Sequence, residues 1–491
     1  MGVPSGQTAA RSRSVPSRRG SDPHSGSEPT LLAHPFGELE DCAVSSPPAP
    51  SSVCDAVCDA AAGPPPRGLS AWLARAPLPV LTAYAAAVAF CTYFCMYAFR
   101  KPFDAVKFTG SKFLGSEIEL KTACVVSQVI GYTLSKYLGT KVCSEVRSSQ
   151  RAYLLIGLIV WAELALLLFG ALPPSLKPVC MFLNGLPLGM VWGVCLRYLE
   201  GRRASEVMVA GLSCSYIIAG AATRDVGRDL VMATWGVPEA WMPAVTGLVF
   251  LLPFLIAVLL LNQLPAPSAA DIAARSERVT MDARQRRAFL AHFGIGYGML
   301  LTAYFFLTAL RDFRDHYGAE LFDSLGLGAR RAIFTRTELW AMLGVILALA
   351  ALNLIRSHRR ALYAVYSVIV AGFALIGLAS VAFRAGTLDG YWWMVLVGLG
   401  LYLAYVPFGA VLFERMMAAS RFTGTAVFAI MLADGIGYTG SVLFQLFRDL
   451  MFGGLNRLDF FVPYATGVSI SGVLLMTASA ILVMRRTTRP R

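Results

Sequence analysis

Two apolar runs, Leu78–Phe99 and Phe289–Leu310, each lead into an arginine, Arg100 and Arg311. Their surroundings line up: Tyr97-Ala98-Phe99-Arg100-Lys101-Pro102-Phe103-Asp104 matches Thr308-Ala309-Leu310-Arg311-Asp312-Phe313-Arg314-Asp315 at Ala, Arg and Asp. A guanidinium fork binds carboxylate or phosphate through paired hydrogen bonds. Next to a bilayer span such a charge is costly and marks a pathway or an ion pair. One arginine at the same place in each half predicts an anion held between two related bundles. Two plainer readings stand beside that one. Each arginine could snorkel to the interface, and Arg311 could pair with Asp315 one turn on.

Other side chains could share that work. Tyr93 and Tyr97 lie at helical spacing on the face of the first span that carries Arg100, a face suited to a water-filled path or to core packing. Tyr216 and Asn184 are further polar candidates for substrate contact. Asn184 and Trp192 face nearly opposite sides of one helix, so one of them at most lines a cavity. Lys136 is a second cation, but a straight helix rising ~1.5 Å per residue places it roughly 20 Å in depth from Arg100. One small anion then reaches both only if helices tilt or move. Three acids interrupt apolar stretches: Glu163, Glu338 and Asp434. Buried carboxyls have raised pKa values and exchange protons when access alternates. Asp434, flanked by Gly435 and Gly437, is the best candidate for proton coupling or gating, or for an ion pair. Glu338 is expected to hold Arg311 or Arg336, and Glu163 to hydrogen-bond inside its bundle. His316 and His358 read as solvated loop residues.

The elements that must position these residues are membrane helices. Hydrophobic residues make up 56% and charged residues 15% of the 491 residues, which is the composition of a polytopic membrane protein. Segments long enough to cross ~30 Å of hydrocarbon number about twelve. They fall near 78–99, 118–139, 152–172, 176–197, 206–223, 241–262, 289–311, 333–355, 361–382, 391–413, 423–446 and 463–484. The predicted fold is all-α, twelve transmembrane helices in two pseudo-symmetric six-helix bundles. The domains are a disordered tail over 1–70, bundles over 71–262 and 289–485, a linker over 263–288, and a short tail over 486–491. A second echo, Arg228-Asp229-Leu230 and Arg448-Asp449-Leu450, supports the duplication.

The net charge of +13 sits in short loops that alternate with apolar spans, the positive-inside pattern, so both termini are expected in the cytoplasm. That placement excludes a nucleic-acid surface. The partners expected are the bilayer, a small anion and protons, with the chain a monomer. The ten cysteines all precede position 215 and read as small hydrophobes, without disulfide, metal or cofactor. No catalytic constellation and no Walker loop is present, so neither an enzyme nor an ATP-driven pump is expected.

Three stretches carry a family likeness. They are Tyr97-Ala98-Phe99-Arg100-Lys101-Pro102-Phe103, Gly131-Tyr132-Thr133-Leu134-Ser135-Lys136-Tyr137-Leu138-Gly139 and Leu183-Asn184-Gly185-Leu186-Pro187-Leu188-Gly189-Met190-Val191-Trp192. With them the chain resembles the major facilitator superfamily over about 77–485, and within it the organophosphate:phosphate antiporters. That resemblance implies that Arg100 and Arg311 bind a phosphoryl group. Tyr216 stands where those antiporters carry a histidine, and the charges around Arg311 also depart from their pattern. The expected function is secondary active transport of a small anionic metabolite, phosphorylated or not, by alternating access. The alternatives are a proton-coupled carrier of a neutral or zwitterionic solute and a receptor-like member of the fold.

Overall fold

The computed structural model describes residues 2, 68–200, 202, 204–268, 271, 283–420 and 426–488. The predicted tail over 1–70 and the middle of the predicted linker lie almost wholly outside the described residues. The compact unit Pro65–Arg491 is built from long helices: α1 Leu78–Met96, α2 Leu120–Glu145, α3 Arg151–Ala171, α4 Lys177–Leu199, α5 Ser205–Asp225, α6 Met242–Leu261, α7 Ala283–His316, α8 Ile333–Asn353, α9 His358–Arg384, α10 Gly390–Pro407, α11 Ala426–Phe452 and α12 Arg457–Thr488. Among the described residues eleven helices are long and apolar enough to cross a membrane, so the chain is an integral multi-pass membrane protein. The helix outside that set is α2. Its 26 residues include Lys121, Gln128 and Lys136, polar groups that turn toward other helices instead of lipid.

Buried apolar side chains form two large clusters. One draws on residues 85–261 together with Tyr438, the other on residues 289–484 together with Ala221. Each half of the chain therefore has its own core, and the halves meet along a polar seam. Within the first half, α2 and α4 approach to backbone contact. A Cβ at Gly185 would stand 2.3 Å from the Gln128 carbonyl oxygen, and one at Gly131 would stand 2.3 Å from that of Phe182. Only glycine permits that approach, which is how small residues replace the hydrophobic effect as the means of joining helices in lipid.

The helices are broken where the seam needs side chains re-aimed. α1 ends at Met96 and continues as a 3-10 turn, Tyr97–Phe99, before a second turn over Pro102–Ala105. Pro102 lacks the N–H that would extend the helix, and it restricts the residue before it. α7 is kinked at Gly294, whose φ of 42° lies outside the helical region. α10 passes through Pro407 into a widened turn over Phe408–Leu412. Such turns accompany functional sites more often than chance.

Gly185→Ala is expected to lower the thermal unfolding temperature by several degrees or prevent recovery of folded protein. Gly157→Ala, where a Cβ meets nothing within 4 Å, is expected to be neutral or slightly stabilising. Equal unfolding temperatures for the two variants would contradict the close α2–α4 packing.

Candidate functional site

The break after α1 frees backbone carbonyls that water would otherwise have to satisfy. Asn184 of α4 takes over part of that task. Its amide donates to the Phe99 carbonyl at 2.9 Å and to the Ala162 carbonyl at 3.0 Å. Gln128 of α2 donates to the Asn184 side-chain oxygen at 2.8 Å and to the Arg100 carbonyl at 3.4 Å. Two buried amides thus hold the backbone on which Arg100 sits. This corrects the expectation for Asn184: it is fully buried and spent on backbone, so it lines no cavity. The half-buried Trp192 instead packs 5.0 Å from Tyr93 and 6.3 Å from Tyr216.

Arg100 places its guanidinium 3.9 Å from the centre of the Tyr132 ring. Among the described residues no carboxylate pairs with it, and its Nε is buried without a hydrogen-bond partner. Tyr93 and Tyr97 stand beside it, edge to face at 5.5 Å. Arg311 has a different setting. It stacks on Tyr405 at 3.9 Å, while its Nε and Nη2 both donate to one Asp312 oxygen, at 3.0 and 2.6 Å. The pairing with Asp315 weighed from sequence does not form, because Asp315 is taken by Lys101 at 2.5 Å and Arg224 at 2.9 Å.

A chain of contacts joins the two arginines across the seam. Lys136 approaches the Tyr132 ring from its other neighbours, 5.6 Å from the centroid, and the Tyr438 ring at 4.7 Å. Its ammonium pairs with Asp434 of α11 at 2.8 Å. The Tyr304 hydroxyl donates to the second Asp434 oxygen at 3.0 Å, and Tyr304 stacks on Tyr405, 5.4 Å between centroids. Tyr438 packs on Tyr132 at 5.9 Å and lies within electrostatic reach of both Arg100 and Arg311. The separation of roughly 20 Å expected between Arg100 and Lys136 is therefore corrected. Arg100 backbone is level with Gln128, two helical turns before Lys136 (~12 Å), and both long side chains converge on Tyr132.

On one side of this cluster a network of charges seals the seam. His316 meets Asp104 at 2.8 Å, Lys101 meets Asp104 at 2.9 Å, and Lys121 meets Glu320 at 2.6 Å. Arg448 and Arg457 of the second half both reach Glu119 of the first, at 3.1 and 2.5 Å. Burial pushes the Asp104 carboxyl up, but His316 and Lys101 outweigh it and hold the group below the usual carboxylate range. Burial likewise raises Glu119, and the charges of Arg457 and Arg448 bring it below its ordinary value. His316 is thus a buried latch residue, only 1% exposed, which corrects the solvated reading. His358 lies at the surface, near the Arg415 guanidinium at 3.1 Å.

The exposures distinguish the two ends of the seam. In the network, Lys101, Asp104, Lys121 and Arg224 side chains are almost completely covered, whereas Lys136 and Asp434 are 32% and 27% exposed. The Lys136–Asp434 end of the cluster is therefore the more solvent-accessible one and the network end the more covered.

Two expected acids fall elsewhere. Glu338 binds Arg314 at 2.5 Å, not Arg311 or Arg336, because Arg314 is the α7 residue that faces α8. Glu163 makes no hydrogen bond within its bundle: among the described residues both carboxyl oxygens are buried without a partner, packed against Gly247 of α6. A buried carboxyl without a hydrogen-bond partner is costly wherever it occurs. Tyr216 lies in the cluster beside Trp192. Tyr132, Tyr304, Tyr405 and Tyr438 were not singled out from sequence. The signal available was the i,i+4 spacing of Tyr132 with Lys136 and of Asp434 with Tyr438 on two different helices.

Comparison with known proteins places the chain. The model of a family of unknown function, DUF5690, matches residues 102–486. The chain belongs to this DUF5690 family. No curated protein matches the DUF5690 chain by sequence. Among solved structures, it is similar to the nucleoside transporter NupG, with 13% identity, a TM-score of 0.53, and coverage of 82% of this chain and 98% of that one. It is also similar to the inward-open xylose transporter XylE from E. coli, at 12% identity, a TM-score of 0.57, and coverage of 81% and 94%. A third is a bacterial homologue of the human lysosomal transporter Spinster in an inward-facing, unoccupied conformation, at 11% identity, a TM-score of 0.52, and coverage of 83% and 97%. At these identities the likeness is one of fold, and it is the major facilitator fold expected from sequence.

Asn184→Ala removes the donor that the Phe99 carbonyl relies on in the break after α1 and the acceptor of one Gln128 amide hydrogen, at about 1–3 kcal/mol for the group. It is expected to lower the unfolding temperature of this DUF5690 protein by several degrees. An unchanged unfolding temperature would remove Asn184 from the role of supporting Arg100.

Proposed function

We propose that this protein is a secondary transporter of a small organic anion, working by alternating access, with Arg100 as the principal anion-binding group. The observation that carries the reading is the state of Arg100: half-buried at the seam, stacked on an aromatic face, and without a carboxylate partner among the described residues. A guanidinium withdrawn from bulk water and unpaired is stabilised by an incoming carboxylate, sulfate or phosphate. Arg311 contributes on the facing half, through the Asp312 pair and the Tyr405 stack. The motif resemblance to organophosphate:phosphate antiporters favours an anion, and the transporters that share the fold favour transport without favouring an anionic substrate.

Alternating access assigns roles to the remaining groups. With both termini and the basic loops on the cytoplasmic side, the arrangement is closed by the ion-pair network toward the exterior and accessible from the cytoplasm. Lys136–Asp434 ties the two halves on the accessible side of the cluster and acts as a gate tie that must part when the bundles rock. Asp434 is then a gating residue. Glu163, buried and without a hydrogen-bond partner among the described residues, is the group that supports a second reading in which proton movement is coupled to transport.

The test is ligand-dependent stabilisation of full-length protein, since a ligand that binds only the folded state raises its unfolding temperature. Benzoate and phenyl phosphate are expected to stabilise the wild-type protein and glucose to leave it unchanged. Arg100→Ala is expected to unfold near the wild-type temperature and to lose the anion response, by about ten-fold or more in apparent affinity. Stabilisation by glucose alone, or an undiminished anion response in Arg100→Ala, would contradict the proposal.

A further inference from the structure

The pairing of charges around the cavity carries the reading one step further, from anion to the kind of anion. Resting on the anion-carrier reading, we propose that Asp312 is a specificity-determining residue: by neutralising Arg311 it leaves room for a single negative charge, so the substrate is a monoanion with a flat, ring-bearing body.

Each charge near the seam can be followed to its partner. Lys136 is matched by Asp434 and Arg311 by Asp312. Lys101 and Arg224 are matched by Asp104 and Asp315, Lys121 by Glu320, and Arg314 by Glu338. Arg448 and Arg457 share Glu119 and Asp449. Among the described residues that line or seal the cavity, Arg100 is the cation left over. A substrate with one negative charge balances it. A phosphate ester near neutral pH carries close to two, and its second charge would meet Asp312 and Asp434, carboxylates already committed to Arg311 and Lys136. In a partly buried site an unbalanced charge is expensive. Asp312 is the residue that decides this, since without it Arg311 would offer a second free guanidinium across from the first.

The body of the substrate follows from the walls. Tyr93, Tyr97, Trp192, Tyr216, Tyr405 and Tyr438 present ring faces and edges around the arginines. The side-chain amides nearest the site, Gln128 and Asn184, are consumed on each other and on backbone. A planar ring stacks well on such walls, and the tyrosine hydroxyls at their edges are left for polar substituents on it.

The experiment compares phenyl sulfate with phenyl phosphate on the purified full-length protein, by ligand-induced stabilisation and calorimetry at about pH 8. There the phosphate ester is almost fully dianionic and the sulfate is a monoanion of nearly the same shape. Phenyl sulfate is expected to bind about ten-fold more tightly than phenyl phosphate, and more tightly than methyl sulfate, which lacks the ring. Asp312→Asn, which frees Arg311, is expected to move the ratio by about ten-fold toward phenyl phosphate. The double variant Arg311→Gln with Asp312→Asn removes both charges and is expected to return the wild-type order. Wild-type protein that prefers phenyl phosphate, or binds the two equally, overturns the monoanion assignment even if Asp312→Asn fails to fold. An unchanged ratio in folded Asp312→Asn overturns the role of Asp312, and equal affinity for methyl and phenyl sulfate overturns the ring-bearing body. If the wild-type protein binds none of the three, the anion-carrier reading fails and this inference falls with it.

Discussion

An arginine stacked on Tyr132, with no acid among the described residues to neutralise it, organises the centre of this protein. Placing that charge inside a membrane body costs energy, and the surrounding structure is arranged to bear the cost. The helix that delivers Arg100 is interrupted, the carbonyls exposed by the interruption are satisfied by Asn184 and Gln128, and the ring below supplies a negative quadrupole. A residue so carefully supported and yet left unpaired is costly unless something else completes it. The anion-binding proposal follows from that imbalance.

The seam between the halves divides into two kinds of bonding. Toward the network side there are many nearly covered ion pairs, from Lys101, Asp104 and His316 to Arg448 and Arg457, holding the first half to the second. Toward the accessible side the seam is tied by the partly hydrated Lys136–Asp434 pair and the Tyr132–Tyr438 contact. Pairs kept in water are individually weak, and buried ones are strong once formed but expensive to expose. Opening the network side therefore requires many partners to be exchanged together, which suits a two-state rocking motion better than a gradual one.

Much of the architecture was legible in the residues. Long apolar runs marked the helices, and the Arg100/Arg311 echo marked the two halves, because both are local patterns that need no knowledge of packing. What could not be read was who faces whom. Glu338 is expected from sequence to hold Arg311 or Arg336, yet Arg314 is the α7 residue that points at α8. His316 looked solvated because it ends a span, but the adjoining turns of the other half cover it. Lys136 seemed far from Arg100 because straight helices were assumed, whereas the break after α1 brings the arginine level with the middle of α2. The tyrosines of the site escaped notice individually, since an aromatic residue in a membrane helix is as much at home in a core as in a binding pocket.

The most direct test of the central claim is a structure of the full-length protein with 4-iodobenzoate, in which the iodine reports the ligand's place independently of the protein density. The account predicts a carboxylate within hydrogen-bond reach of the Arg100 guanidinium and the iodinated ring between Trp192, Tyr216 and Tyr405. An iodine signal confined to the lipid-facing surface, or an Arg100 side chain bound to an acid of the protein with the cavity vacant, would contradict it.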